Sequence, residues 1–198
     1  SWRHKGIPER ITDSIHYQQH KKRVTVLTHD LSAPLPGHTL ARIGDIDYIL
    51  NFAAESHVDR SLADPRSFIE NNVAVALTML DAARIIQPDV FIQISTDEVY
   101  GPAPDGHLHK EGEPHRPSNP YSASKSAQES IAYAYWRSFG VPVIITNTMN
   151  NFGERQDAEK FVPMVIRQVK QGRPVTIHGG EGNIGSRFYL HARNHADA

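Results

Sequence analysis

The stretch from Ser95 to Lys125 collects two carboxylates, a phenol and an ammonium in one short run of chain. Ser95-Thr96-Asp97-Glu98-Val99-Tyr100-Gly101 opens it and Tyr121-Ser122-Ala123-Ser124-Lys125 closes it. Adjacent acids suit acid–base work, because like charges held close together raise one pKa and leave an acid beside a base. Tyr121 and Lys125 stand at i and i+4, which on a helix puts them on one face. A tyrosine ionises at about pH 10, and a fixed ammonium nearby brings it towards neutrality, where it accepts protons.

Such groups work only if regular elements aim them. Phe91 to Ser95 reads as a short apolar strand, so Thr96, Asp97 and Glu98 fall where that strand ends, the edge at which α/β sheets carry their chemistry. From Tyr121 to about Phe139-Gly140 the pattern is helical, and Val141 to Thr146 is a further strand. Upstream, Arg23 to Thr28 reads as a strand ending at His29-Asp30-Leu31. Ile46 to Phe52 reads as another, apolar almost throughout, as strands covered on both faces tend to be. Asp64-Pro65 starts a helix whose apolar positions Phe68, Val73, Leu77, Leu80 and Ala83 run up to Gln87-Pro88. Before all of these, Ser1 to Lys22 is polar and His-rich, with a turn predicted at Gly6-Ile7-Pro8-Glu9-Arg10 before a short helix. After Gly153 come a predicted helix from Phe161 to Gln171, a strand at Val175-Thr176-Ile177 and a Gly-rich turn up to Arg187. Helix and strand alternate, which predicts an α/β fold with a parallel sheet.

Composition narrows the function classes. The net charge of −1 and pI near 6.9 give no electrostatic footprint for nucleic acid or an anionic membrane. The 198 residues include no cysteine, which excludes disulfides and thiolate metal sites and fits a cytoplasmic setting. No apolar run approaches membrane-spanning length. Pro102 to Pro120 is a long loop, functional or mobile by its length, that holds His107, His109 and His115. Their spacing matches no closed metal site, and no metal is expected.

Taken together, these motifs resemble the extended short-chain dehydrogenase/reductase superfamily, through Tyr121-x-x-x-Lys125 behind a strand-end Thr. The Thr96-Asp97-Glu98 triplet resembles the nucleotide-sugar 4,6-dehydratases more narrowly. Asn51 to Ser61 upstream and Thr146-Asn147-Thr148-Met149-Asn150-Asn151-Phe152-Gly153 downstream follow in family order. The resemblance implies a Rossmann-like doubly wound parallel sheet with NAD as cofactor. Residues 1–153 would form part of the NAD-binding domain and 154–198 the start of a small nucleotide-sugar-binding domain. That family's Gly-x-x-Gly-x-x-Gly turn occurs nowhere in the chain. The resemblance therefore implies an internal stretch whose sheet lacks the family's first two strands, leaving a central gap in the order 3-2-1-4-5-6.

By the same resemblance the substrate is a nucleoside-diphosphate hexose, dTDP-glucose first, and the product a 4-keto-6-deoxy sugar. Tyr121 would take the 4-hydroxyl proton, Glu98 the C5 proton, and Asp97 would protonate the departing 6-hydroxyl. Thr96 would bind the sugar O4, and Lys125 the nicotinamide ribose. Cofactor contacts are implied for Asp30, Leu31, Phe52, Ala53, Ala54, Ser56, Asn71 and Asn147, besides Tyr121 and Lys125. Substrate contacts are implied for Ser56, His57, Asn150, Lys160, Phe161, Val162, Pro163 and Arg187. After Arg187 the family places Asp and an aromatic, whereas Phe188-Tyr189 follow here. Homodimers paired through the helices after Asp64 and Tyr121 are implied as well. The alternatives are a 4-epimerase or decarboxylase of the same superfamily, which generally lack the acid pair, and a non-catalytic remnant.

Overall fold

Two caps define the longest helices. The carboxylate of Asp64 accepts the Ser67 N–H at 3.2 Å, and Pro65 opens helix α5 (Pro65–Ile86) with its φ already helical. This helix ends where Gln87 turns left-handed (φ 56°) ahead of Pro88. Asn119 and Ser122 form a reciprocal capping box at the start of α6 (Pro120–Phe139), which stops at Gly140 (φ 71°). The computed structural model describes residues 9–177, 179–180 and 183–198, and the predicted Gly6-Ile7-Pro8 turn lies outside them.

The chain divides into two compact units, Ser1–Asn147 and Thr148–Ala198. In the first, short helices α1 (Glu9–Thr12), α2 (Ile15–His20) and α3 (Gly37–Ile43) precede strand β1 (Tyr48–Asn51). Then come α4 (Val58–Ala63), α5, β2 (Val90–Thr96), α6 and β3 (Val143–Thr148), and the sheet order is β1-β2-β3. Strand β1 runs parallel to β2, with Tyr48 opposite Val90 and Asn51 opposite Gln93. This is a Rossmann-like α/β arrangement with a sheet of three strands. Ile49, Phe91 and Val141 pack with Leu80 and Ala83 of α5 and Ala132 of α6 as one core.

Two predicted strands do not form. Residues 24–30 carry no regular structure, and Val24 and Val26 stay exposed, because a strand exists only by hydrogen bonds to a neighbour and the sheet offers this segment none. The same holds at residues 175–177. Strand β1 is also covered on one face alone: Ile49 and Asn51 are buried, while Tyr48 and Leu50 are exposed at 62% and 52%. Its apolar run therefore does not mark two covered faces. Strand β3 begins at Val143, two residues later than predicted, although Phe91 already donates to the Pro142 carbonyl at 2.8 Å.

In the second unit, β4 (Asn150–Phe152) pairs in parallel with β7 (Tyr189–His191). Helix α7 (Phe161–Lys170), an antiparallel pair β5 (Gly179–Gly180) and β6 (Asn183–Ile184), and helix α8 (Ala192–Asp197) complete it. Phe152 meets the His191 ring edge-on at 5.2 Å, and Phe161 stacks on Tyr189. Among the described residues, no helix is long and apolar enough to cross a membrane.

Candidate active site

Strand β2 delivers Thr96 to the sheet's carboxyl edge, where the chain winds into one 3₁₀ turn, Asp97–Tyr100. Thr96 caps that turn: its hydroxyl oxygen accepts the Glu98 N–H at 3.3 Å and its O–H donates to Asp97 Oδ1 at 3.2 Å. Both acids are thereby held at known positions on the turn. Asn119 donates its side-chain amide to Glu98 Oε2 at 3.3 Å, joining the acid to the start of α6. Gly101 closes the turn at φ 83°, and a Cβ there would lie 2.3 Å from the Arg116 carbonyl oxygen. Only glycine fits both conditions.

Tyr121 opens α6 directly above this turn, its N–H donating to the buried Ser61 hydroxyl of α4 at 3.2 Å. Burial pushes its phenol above the ordinary tyrosine pKa, and the charges of Glu98 and Asp97 push the same way. A hydrogen bond with the Thr96 hydroxyl acts in the opposite sense and is outweighed. The expected phenolate near neutral pH is thus not what these surroundings favour. Lys125 explains why its help is missing: its ammonium donates to the Ile94 carbonyl and to Gln128 Oε1, both at 2.6 Å. Burial brings this lysine down to about 8, with the Glu129 carboxylate working against the shift. Thr96, Asp97, Glu98 and the phenol come together, and the ammonium gives two of its three donors to the protein interior.

That interior is a seam of buried amides. Asn51 donates to Gln93 Oε1 at 2.9 Å, Gln93 to Gln128 Oε1 at 3.1 Å, and Gln128 to the Asn72 carbonyl at 2.6 Å. Asn72, fully buried, accepts the Glu55 N–H at 2.7 Å and donates to the Glu55 carbonyl and to the Ser124 hydroxyl. This fastens the loop of Phe52, Ala53, Ala54 and Ser56 between α5 and α6. Glu129, also buried, accepts from the Ser95 hydroxyl and from the Asn147 amide (2.7 Å), with His115 at 3.4 Å. Burial holds its carboxyl above the usual range against those partners. Sequence reasoning passed over Gln93, Gln128 and Glu129. The available signal was a polar residue at each position that strand or helix periodicity assigns to the covered face.

Of the cofactor candidates, Phe52 and Ser56 are exposed at the carboxyl end of β1, with Ala53 and Ala54 half-buried between them. Asp30 is exposed in a turn, accepting from Ser32 N–H and O–H, with Leu31 beside it. Asn71 donates to Asn72 Oδ1 at 3.1 Å, and Asn147 turns inward to Glu129 and the Thr96 carbonyl. His57 precedes α4 as its first cap residue. Asn150, Lys160, Phe161, Val162, Pro163 and Arg187 all belong to the second unit. There Lys160 caps α7, Phe161, Val162 and Pro163 form its first turn, and Arg187 is exposed two residues before β7.

Comparison with known proteins bears on what this arrangement does. The family described as GDP-mannose 4,6 dehydratase matches residues 6–198. The low-salt glycan biosynthesis protein Agl12 of Haloferax volcanii is 43% identical over 148 residues, covering 75% of this chain and 47% of that protein. A crystal structure of DesIV, a dTDP-glucose 4,6-dehydratase from Streptomyces venezuelae with NAD and TYD bound, superposes with a TM-score of 0.76 at 36% identity, over 85% of this chain and 51% of that one. A UDP-N-acetylglucosamine 4-epimerase from Methanobrevibacter ruminantium, in complex with UDP-N-acetylmuramic acid, reaches the same TM-score at 29% identity, over 87% and 55% of the two chains. The chain spans about half the length of the curated relatives it matches.

Proposed function

Because this chain belongs to the GDP-mannose 4,6 dehydratase family, we propose that it carries the catalytic groups of an NAD-dependent nucleotide-sugar 4,6-dehydratase. Its substrate is an NDP-glucose, dTDP-glucose in first place, and its product the NDP-4-keto-6-deoxy sugar. The observation that carries this reading is the meeting of Thr96, Asp97 and Glu98 with the Tyr121 phenol at the carboxyl edge of the sheet. A second acid is superfluous to simple oxidation at C4 but is needed to remove water across C5 and C6.

For the cofactor, the small residues Ala53, Ala54 and Ser56 fit a backbone that must approach a dinucleotide closely, and Asn72 beneath keeps their loop in place. Phe52, Asp30, Leu31, Asn71 and Asn147 complete the proposed NAD contacts. Lys125 gives two of its three N–H donors to Ile94 and Gln128, and the third would serve the ribose. The chemistry supplied by bound NAD is removal of hydride from C4 and its return at C6.

Tyr121 accepts the proton of the 4-hydroxyl in its ionised form, which burial and the two carboxylates disfavour in the free protein, and Thr96 holds the same oxygen in line. Asp97 serves as the acid of the elimination step. Glu98 takes the C5 proton as Asp97 hands a proton to the departing 6-hydroxyl, so that water leaves and C5 is joined to the exocyclic C6 by a double bond. Ser56 and His57 serve the nucleoside diphosphate within the first unit; the second unit, taken by itself, offers Asn150, Lys160, Phe161, Val162, Pro163 and Arg187 for such a ligand. Arginine's paired donors suit the diphosphate. Exposed Leu77 and Ile85 of α5, with Tyr133 and Trp136 of α6, support pairing of two copies through these helices.

Incubation with dTDP-glucose and NAD should build up a 4-keto-6-deoxy product, read by its absorbance in alkali. No product from any nucleotide glucose would end the proposal. The 4-epimerase reading is favoured by the epimerase superposition. Under it, Asp97→Asn with Glu98→Gln would leave turnover largely intact, whereas a dehydratase loses it.

A further inference from the structure

The loop between the acids and Tyr121 brings together side chains that the reaction above does not use. Glu113 is their centre. His107 Nε2 lies 3.1 Å and His109 Nδ1 2.8 Å from the same carboxylate oxygen, Glu113 Oε2. One donor atom from each of the three residues falls within 4.8 Å of the others. The other oxygen, Oε1, accepts the Lys110 N–H at 3.0 Å, and the Glu113 N–H donates back to the Lys110 carbonyl, a turn that Gly112 closes at φ 84°. The carboxylate is thus oriented by backbone, with one oxygen left to face two imidazoles.

The rings are held as well. His109 stacks on Tyr100 at 5.5 Å, and His107 meets His109 edge-on at 4.8 Å. Tyr100 is buried at the end of the turn that carries Asp97 and Glu98. His115 takes no part, since its ring bonds Ser126 and approaches Glu129. Of the three histidines weighed from sequence, two stay together, and the partner that completes them is an acid.

We infer that His107, His109 and Glu113 form a binding site for a zinc-type divalent cation, tying the loop to the Asp97–Tyr100 turn. Ligand atoms about 2.0–2.1 Å from a metal stand roughly 2.9–3.4 Å apart along a coordination edge. At Glu113 the His107 separation of 3.1 Å falls inside that range and the His109 separation of 2.8 Å just below it. Two imidazoles with one carboxylate select zinc and its transition-metal neighbours over magnesium or calcium, which prefer all-oxygen sets. Three protein ligands leave a further position for water.

Isothermal titration of the protein with zinc chloride at pH 7.5 tests this. One equivalent should bind, zinc should raise the unfolding temperature, and magnesium chloride should do neither. Glu113→Gln and His107→Ala, each verified as folded by circular dichroism, should weaken zinc at least tenfold and abolish the thermal shift. A His16→Ala/His20→Ala variant, which removes the i,i+4 histidine pair of α2, should bind zinc as the parent does. Absence of zinc binding would overturn the site and leave a histidine–carboxylate brace. Zinc affinity unmoved by the Glu113 and His107 variants, or lost with the α2 pair, would overturn it equally.

Discussion

Tyr121 and Lys125 stand one turn apart on α6 and experience opposite surroundings. The phenol faces two carboxylates at the sheet's edge, and the ammonium is buried among carbonyl and amide groups one layer below. Each environment favours the uncharged form, by added negative charge and burial at Tyr121 and by burial at Lys125. The lesson is that Tyr-x-x-x-Lys spacing places two side chains on one face without making them electrostatic partners. What the lysine does here is brace Ile94 and Gln128; the phenol is kept protonated first by its burial and then by the charges of Glu98 and Asp97.

The largest way to break that contrast is to remove the phenol. Tyr121→Phe should lower kcat for dehydration by about 10²–10⁴-fold, the range of a general base, and a loss under tenfold would strip Tyr121 of its role. Next comes the seam under Lys125. Asn72→Ala removes the hydrogen bonds to the Glu55 N–H, to the Glu55 carbonyl and to the Ser124 hydroxyl, which keeps its own bond to the Tyr121 carbonyl, and at about 0.5–1.5 kcal/mol for each lost bond should lower stability by roughly 2–4 kcal/mol in urea unfolding. An unchanged midpoint would mean that the seam does not hold the loop. Gly101→Ala should lower stability by about 2–3 kcal/mol, combining a left-handed φ with a contact at Arg116, and a neutral result would show the turn free to move.

The smallest effect separates the two groups by pH. Lys125 has a folded pKa near 8 against an unfolded value of 10.5, so between these values the unfolded chain binds more protons. Stability contributed by this group therefore rises with pH across that window, and the full cost of burying the ammonium is present below pH 8. Carbon-13 NMR of the lysine side chains, assigned by Lys125→Met, should find one amine half-titrated near pH 8. Titration of that amine near pH 10.5 would mean that it is solvated.

Much of this was legible in the chain. Asp64-Pro65 announced one long helix and the helical pattern from Tyr121 the other, and the run Phe91 to Ser95 announced the strand whose end holds the acids, because caps, periodicity and short apolar runs are local signals. Residues 24–28 misled for the converse reason: β-branched residues favour a strand, but only a neighbour makes one. Tyr48 and Leu50 misled similarly, since an apolar run does not say which face is covered. The amide seam could not be read from spacing, as its members meet across separations such as Asn72 to Ser124 that only the fold closes, and the Glu113 cluster, though local, takes shape only through the turn that points its carboxylate at two imidazoles.

The most direct test of the contrast is a spectrophotometric titration of tyrosine ionisation, comparing the protein with Tyr121→Phe and without nucleotide or sugar added. The difference between the two curves isolates one phenol. It should show no phenolate from Tyr121 up to pH 10, in keeping with burial beside Asp97 and Glu98. A phenolate from Tyr121 appearing near pH 7 would contradict the account, because it would mean that the Lys125 charge reaches the phenol after all.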